Sequence, residues 1–373
     1  MSLEDALRCA SRLNNRARIY FFVFRHTFTD VFDFSRRLLT VLQLTRMALV
    51  FTAIADSVTE VLLWVQKLRL QAGGHVSLWH YADGGVIAML FASIGLYGFG
   101  MSLNDIIDRR RDIQMAAHRP LPSGRIGLFT AHMICTMLGL SAVIAGAGYS
   151  LSRYAPAGFA SLALVIFVGL MITFYDFAGK YLVALGLLTL GLIRFFHAAI
   201  AAPTLPVVWH PLWLLNHVTI LSTVAYQWEQ KRPTLTRRHW WQVIGGLAGM
   251  DLVCIGTIAL VRHGRTGRGL AADLAITPGL LLPVLATLLF IAVAAWIRWR
   301  AENIRKAGQT LMLTGLLWLI VYDAAFIAGY VDWIAAGVIA LMLPLAYMAV
   351  QVMRWWSQIV ALSQRPAFKR VET

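Results

Sequence analysis

Residues 84–112 read GGVIAMLFASIGLYGFGMSL followed by NDIIDRRRD. The first part is about 20 apolar or small residues, enough to cross roughly 30 Å of hydrocarbon as a helix. It gives way abruptly to an amide, carboxylates and arginines. At 100° per residue, Asn104, Asp108 and Asp112 fall at i, i+4 and i+8 along one helix face, with Asp105 beside it. Carboxylates that close repel one another and stay ionised only with a cation among them. Oxygen donors without Cys or His suit Mg2+ or Ca2+ rather than zinc. The cluster therefore reads as a magnesium site of the kind a membrane enzyme needs to hold a diphosphate. The competing reading is a solvated helix end whose acids pair with neighbouring arginines. Carboxylates at a helix carboxyl end oppose the dipole, which favours a compensating cation or ligand.

The rest of the chain supports a membrane setting. Of 373 residues, 59% are hydrophobic and 14% charged, and the mean hydropathy is +0.67, well outside the soluble range. Apolar stretches fall near 42–65, 84–103, 127–150, 157–175, 181–202, 207–226, 240–261, 278–297, 309–330 and 332–352. They predict an all-α bundle of nine or ten transmembrane helices. The ambiguity lies at Gly329 to Asp332, where two segments form separate spans or one bent hairpin. One membrane domain is expected over 42–353, with a basic, aromatic-rich segment over 1–41 and a basic tail over 354–373. Phe21, Phe22, Phe24, Phe28, Phe32 and Phe34, interleaved with Arg18, Arg25, Arg36 and Arg37, suit either an interfacial helix or a disordered basic tail.

The net charge of +15 marks topology rather than a nucleic-acid surface. With the amino terminus in the cytoplasm, only Lys67, Arg69, Arg153, Arg262, Arg265 and Arg268 fall on the outer side, and Arg46 and Arg194 lie within spans. The positive-inside rule then places Asn104 to Asp112 in the cytoplasm, most simply at a cell inner membrane. Cys9, Cys135 and Cys254 are odd in number, lack CxxC spacing and read as reduced thiols. The amino terminus has no apolar region before residue 41 and does not read as a cleaved signal peptide. The abundant Trp reads as interface anchoring rather than subunit contact. The stretch His263 to Gly269 is Gly-rich but follows no strand, so it reads as a flexible connector.

Three stretches, 104–125, 175–180 and 226–238, follow even-numbered spans and can converge over one cavity. In the first, His118-Arg119-Pro120-Leu121-Pro122-Ser123-Gly124-Arg125 forms a turn that returns Arg119 and Arg125 toward the carboxylates, where they can clamp phosphate oxygens. Arg109, Arg110 and Arg111 point three ways and read as headgroup anchors. Arg194 lies inside the fifth apolar segment, where an unpaired charge is costly, so it faces the cavity or pairs with an acid. His197, one turn on, reads as a satisfied core histidine, and Asp56 and Asp176 as structurally paired acids.

These features resemble the UbiA superfamily of intramembrane prenyltransferases. Asn104, Asp105, Asp108 and Asp112 match its NDxxDxxxD motif after the second helix. Arg119 to Ile126 is similar to its RPLxxGxI segment, and further likeness lies in Arg46 with Val50 to Asp56 and in Tyr175 to Lys180. The resemblance implies about nine helices around a lipid-open cavity, with a metal-bound diphosphate at the cytoplasmic cap and the isoprenoid below. It implies Mg2+ on Asn104, Asp105, Asp108 and Asp112, diphosphate contacts from Asn104, Arg119, Lys180, Glu229 and Lys231, and catalytic roles for Asp108, Asp112, Lys180 and Arg194. The implied reaction moves a prenyl chain from its diphosphate to a small, aromatic or quinone-precursor acceptor in the membrane. The chain departs from the family after the sixth helix. Where the family usually has DxxxD, this sequence reads Tyr226-Gln227-Trp228-Glu229-Gln230-Lys231-Arg232-Pro233, with Glu229 the only carboxylate. Lys231 can replace some charge of a second metal. The alternative is a non-catalytic isoprenoid-lipid-binding member with a degenerate second motif.

Overall fold

The computed structural model describes residues 37–71, 73, 84–152, 157–266 and 269–363. The aromatic-rich reading of Phe21 to Phe34 and the second half of the expected tail lie outside the described residues. No strand occurs among the described residues. Apolar segments in lipid must satisfy every backbone polar group internally, and helices do so.

All ten apolar stretches are helical. They form α1 (Val50–Gln71), α2 (Gly84–Ile107), a short α3 (Arg109–Met115), α4 (Leu128–Ser150), α5 (Ala160–Phe177), α6 (Val183–Ala199) and α7 (Trp209–Trp228). Then follow α8 (Arg237–Thr266), a single-turn α9 (Leu270–Asp273), α10 (Leu281–Arg300), α11 (Ile304–Tyr330), α12 (Trp333–Ala340) and α13 (Met342–Ser363). Among the described residues, eight candidate spans are long and apolar enough to cross a membrane, α12 and α13 counting together as one. The protein is a multi-pass integral membrane protein. α6, at 17 residues, and α7 complete the set of ten.

The ambiguity near Gly329 resolves into two helices. α11 ends at Tyr330, and Asp332 caps α12 by accepting from the Ala335 N–H at 2.7 Å. α13 runs past the boundary expected at 353. At the other uncertain stretch α8 extends through Thr266, so His263 to Thr266 are helical rather than a connector.

α1, α6, α7 and α11 pack in a closed circuit, α1 on α6, α6 on α7, α7 on α11 and α11 on α1. The most apolar stretches of α1 and α11 are 61% and 50% buried, against 11% for α8. The circuit is therefore the core, and α8 lies at the periphery. At Gly191 on α6 an added Cβ would collide with Thr219 and the Leu215 carbonyl on α7, so glycine sets that close approach.

The first span is not one straight helix as the 42–65 stretch suggests. Residues 37–44 are helical, Arg46 takes a left-handed φ of 47°, and a 3-10 turn over Met47–Leu49 leads into α1. Such a φ costs a non-glycine residue about 1–3 kcal/mol and persists when its surroundings over-determine it. Here Tyr97 Oη donates to the Arg46 carbonyl at 3.2 Å, and the guanidinium is tied to Asp105.

Candidate functional site

The NDIIDRRRD stretch straddles a helix break. α2 stops at Ile107, Asp108 occupies the turn with φ −76° and ψ −2°, and α3 begins at Arg109. Backbone bonds bridge the break, Asp108 N to Asn104 O and Asp112 N to Asp108 O, both 2.9 Å. The break changes the dipole argument. Asp105 does sit in the last turn of α2, but Asp108 occupies the N-cap position of α3, without a side-chain capping bond, and Asp112 lies in its first turn, where negative charge is favourable.

All three carboxylates are buried and each meets cations. Arg46 Nη2 donates to Asp105 Oδ1 at 2.8 Å. Arg119 Nη1 lies 2.5 Å from Asp112 Oδ2 and 3.7 Å from Asp105 Oδ1. Lys180 Nζ lies 2.8 Å from Asp108 Oδ1 and 3.4 Å from Asn104 Oδ1, with Asp176 at 3.9 Å. Arg111 takes the other Asp108 oxygen at 2.8 Å. The acids thus divide into Asp105 with Asp112 about Arg119, and Asp108 with Asn104 about Lys180, instead of forming a single row.

Among the described residues no three His, Cys, Asp or Glu side chains stand close enough to ligate one ion. The donor set still suits Mg2+, which takes one or two carboxylates and completes its shell with waters and substrate phosphates. Asn104, Asp105, Asp108 and Asp112 offer only oxygen.

A cavity of about 550 Å³ opens beside this cluster, walled by Arg46, Asp105, His118 and Arg119 on one side and by Arg354, Ser357 and Gln358 of α13 on the other. Arg125 does not join the carboxylates. It donates to Gln43 Oε1 at 2.8 Å and to the His118 carbonyl at 2.6 Å, fastening the 116–127 loop to the segment before α1. Glu229 and Lys231 pair with each other at 3.0 Å, and none of the contacts of the Asp105 to Asp112 cluster includes them. The 226–238 stretch instead reaches the start of α11, where Arg305 Nε donates to Gln230 Oε1 at 3.1 Å. Two of the three expected stretches converge, and the third stands apart.

Arg194 lies well below the cluster. Its Nε is 2.6 Å from Asp56 Oδ2, with the side chains 14% and 0% exposed. Asp56 lies in α1, six positions after Val50 and beyond the 3-10 turn that separates α1 from Arg46. Next to this pair His210 sits between Glu60 and Asp323, its Nδ1 and Nε2 each 2.7 Å from a carboxylate oxygen, with all three fully buried. α1, α6, α7 and α11 each contribute to this polar layer. Several of its atoms, including Asp56 Oδ1, Glu60 Oε2, Asp323 Oδ2 and both His197 nitrogens, have no hydrogen-bond partner among the described residues. His197, read from the sequence as a satisfied core histidine, is buried with Nδ1 3.9 Å from Asp56 Oδ2 and has no hydrogen-bond partner among the described residues. Arg46, Glu60, His210 and Asp323 are the residues that sequence reasoning passed over or left unused. Their signal was ionisable side chains inside apolar spans, which default to paired or functional positions.

Residues 61–231 match the UbiA prenyltransferase family model. No curated protein matches the chain. A solved structure from work on digeranylgeranylglyceryl phosphate synthase in membranes is 16% identical, with a TM-score of 0.53 over 79% of this chain and 99% of that one. A UbiA homologue from Archaeoglobus fulgidus bound to Cd2+ is 12% identical, with a TM-score of 0.36 over 84% of this chain and 99% of its own. At these identities the first shows a shared fold. Residues 61–231 are thus similar to the UbiA prenyltransferase family, and they lie on an all-helical membrane fold shared with the first of these solved structures.

Proposed function

We propose that the protein transfers a prenyl chain from its diphosphate to a small aromatic or quinone-precursor acceptor within the membrane, with Mg2+ as cofactor. The observation that carries this reading is the set of three buried carboxylates interleaved with Arg46, Arg119 and Lys180. That arrangement suits a polyanion bound through both a divalent cation and direct cationic contacts. The metal would take one or two carboxylates from among Asp105, Asp108 and Asp112, with Asn104, and would supply charge neutralisation of the leaving group. Arg119 and Lys180 are placed to exchange a carboxylate oxygen for a phosphate oxygen, Arg119 through its planar fork and Lys180 as a point charge. In the reaction the C–O bond breaks with its electron pair leaving on pyrophosphate. The allylic carbon then takes an electron pair from the acceptor, which releases a proton. Burial of the acids beneath the 116–127 loop limits water, which would otherwise capture the cation. The charge asymmetry of the loops supports a site on the cytoplasmic side of an inner membrane.

A second reading, a non-catalytic isoprenoid-lipid-binding protein, draws on Glu229 as the lone acid of the second motif and on its distance from the cluster. The test is pyrophosphate release from geranyl and longer prenyl diphosphates by purified protein in lipid, with and without Mg2+, across phenolic, quinone-precursor and glycerol phosphate acceptors. Release that needs both metal and acceptor, and is absent in Asp108→Ala, is expected. Saturable binding with no release for any acceptor would overturn the transferase reading in favour of the second.

A further inference from the structure

A second cavity, also about 550 Å³, lies on the opposite flank of α11 among α7, α8, α10 and α11, away from the carboxylate cluster. Its volume is within the roughly 300–1,000 Å³ of small-molecule sites. Most of its wall is apolar and aromatic, including Trp209, Trp213 and Phe290, and Ile220 and Ile291 in its wall are exposed to the surroundings. That exposure lets a ligand enter from lipid.

The polar groups in this cavity converge from all four helices. Asp251 sits midway along the candidate span Arg237–Arg265, and Asn216 Nδ2 of α7 donates to its Oδ1 at 2.9 Å. The second carboxyl oxygen of Asp251 has no hydrogen-bond partner among the described residues. Thr287 of α10 accepts from Trp213 Nε1 at 2.8 Å, and Tyr322 of α11 completes the wall. A carboxyl group near the bilayer centre with an amide as its partner, facing a lipid-accessible cavity, is costly without a ligand. An apolar pocket with a few converging polar groups is the form a recognition site takes.

We propose that this groove binds a membrane-dissolved alcohol, a long apolar or isoprenoid body whose single hydroxyl donates to the open Asp251 oxygen. An alcohol fits better than an ammonium lipid because it reaches the centre of the hydrocarbon without carrying a charge there. The site is separate from the diphosphate cluster and does not depend on the transferase reading.

The test is photolabelling of the full-length protein in nanodiscs with a diazirine-bearing C20 isoprenoid alcohol, its methyl ether and the matching primary amine, mapped by mass spectrometry. The alcohol is expected to label peptides covering residues 209–224 and 287–294. The methyl ether, which cannot donate, and the Asp251→Asn variant should each lower labelling about tenfold, and Ile291→Trp, which fills the groove, should abolish it. Thermal unfolding and binding of a prenyl diphosphate analogue confirm that each variant is folded, since neither residue belongs to the cluster. Equal labelling by alcohol and ether, or full labelling of Asp251→Asn, would show a groove filled passively by lipid. Preferential labelling by the amine would overturn the choice of an alcohol.

Discussion

Asp108 provides an internal control for the role of Lys180. Two cations approach it at the same distance, Lys180 at 2.8 Å on one oxygen and Arg111 at 2.8 Å on the other. They differ in setting. The Lys180 side chain is 11% exposed and that of Arg111 58%. An exposed ion pair is worth about 0–1 kcal/mol, so Arg111→Ala should change kcat/KM less than about fivefold. A buried cation that donates to phosphate oxygens supplies a charge-assisted bond worth about 1.5–3 kcal/mol, which is roughly 10- to 150-fold. Lys180→Met should therefore lower both kcat/KM and affinity for a prenyl diphosphate analogue by that factor. The fold should survive, because Arg111 still meets Asp108. The assays are pyrophosphate release at saturating Mg2+ and binding of a non-hydrolysable diphosphate analogue, with unfolding measured in parallel. Equal losses in the two variants, or unchanged analogue binding in Lys180→Met, would refute the assignment of Lys180 to the diphosphate.

Asp112→Ala should abolish Mg2+-dependent turnover while leaving a folded protein, and wild-type activity would remove Asp112 from the metal site. Arg194→Leu alone leaves Asp56 without its cation and should cost about 3–5 kcal/mol in unfolding measured in lipid. The double variant Asp56→Leu with Arg194→Leu should recover at least half of that, and strict additivity would show that the pair is not coupled. Glu229→Gln should lower turnover about tenfold and change unfolding by no more than about 1 kcal/mol, because its Lys231 partner is 46% exposed. Undiminished turnover would exclude the 226–238 stretch from the site.

The buried polar layer explains why Arg194 is better placed as a structural partner than at the diphosphate. Helix association in lipid lacks the hydrophobic drive available in water, since lipid tails are as apolar as leucine. Close packing at Gly191 and the ionic contacts among Asp56, Glu60, Arg194, His210 and Asp323 give the four core helices a specific arrangement. Removing one partner leaves a charge in hydrocarbon, so the layer is costly to break in part.

Hydropathy alone determined the class of fold, because about 20 consecutive apolar residues have few alternatives to a helix in lipid. The same sequence also determined the chemistry of the NDIIDRRRD stretch, since oxygen donors beside a span limit the ligands that fit. The tertiary structure decided which charges meet. Asp105 and Asp112 share Arg119 because the 116–127 loop turns back onto them, and Arg46 reaches Asp105 from a left-handed backbone position ahead of α1. Glu229 stands apart from the cluster, and Glu60, His210 and Asp323 come together from three helices up to 263 positions apart. Local periodicity fixes a side chain's direction on its own helix. Contacts between helices depend on crossings and kinks set by packing across the whole bundle, which no local pattern encodes.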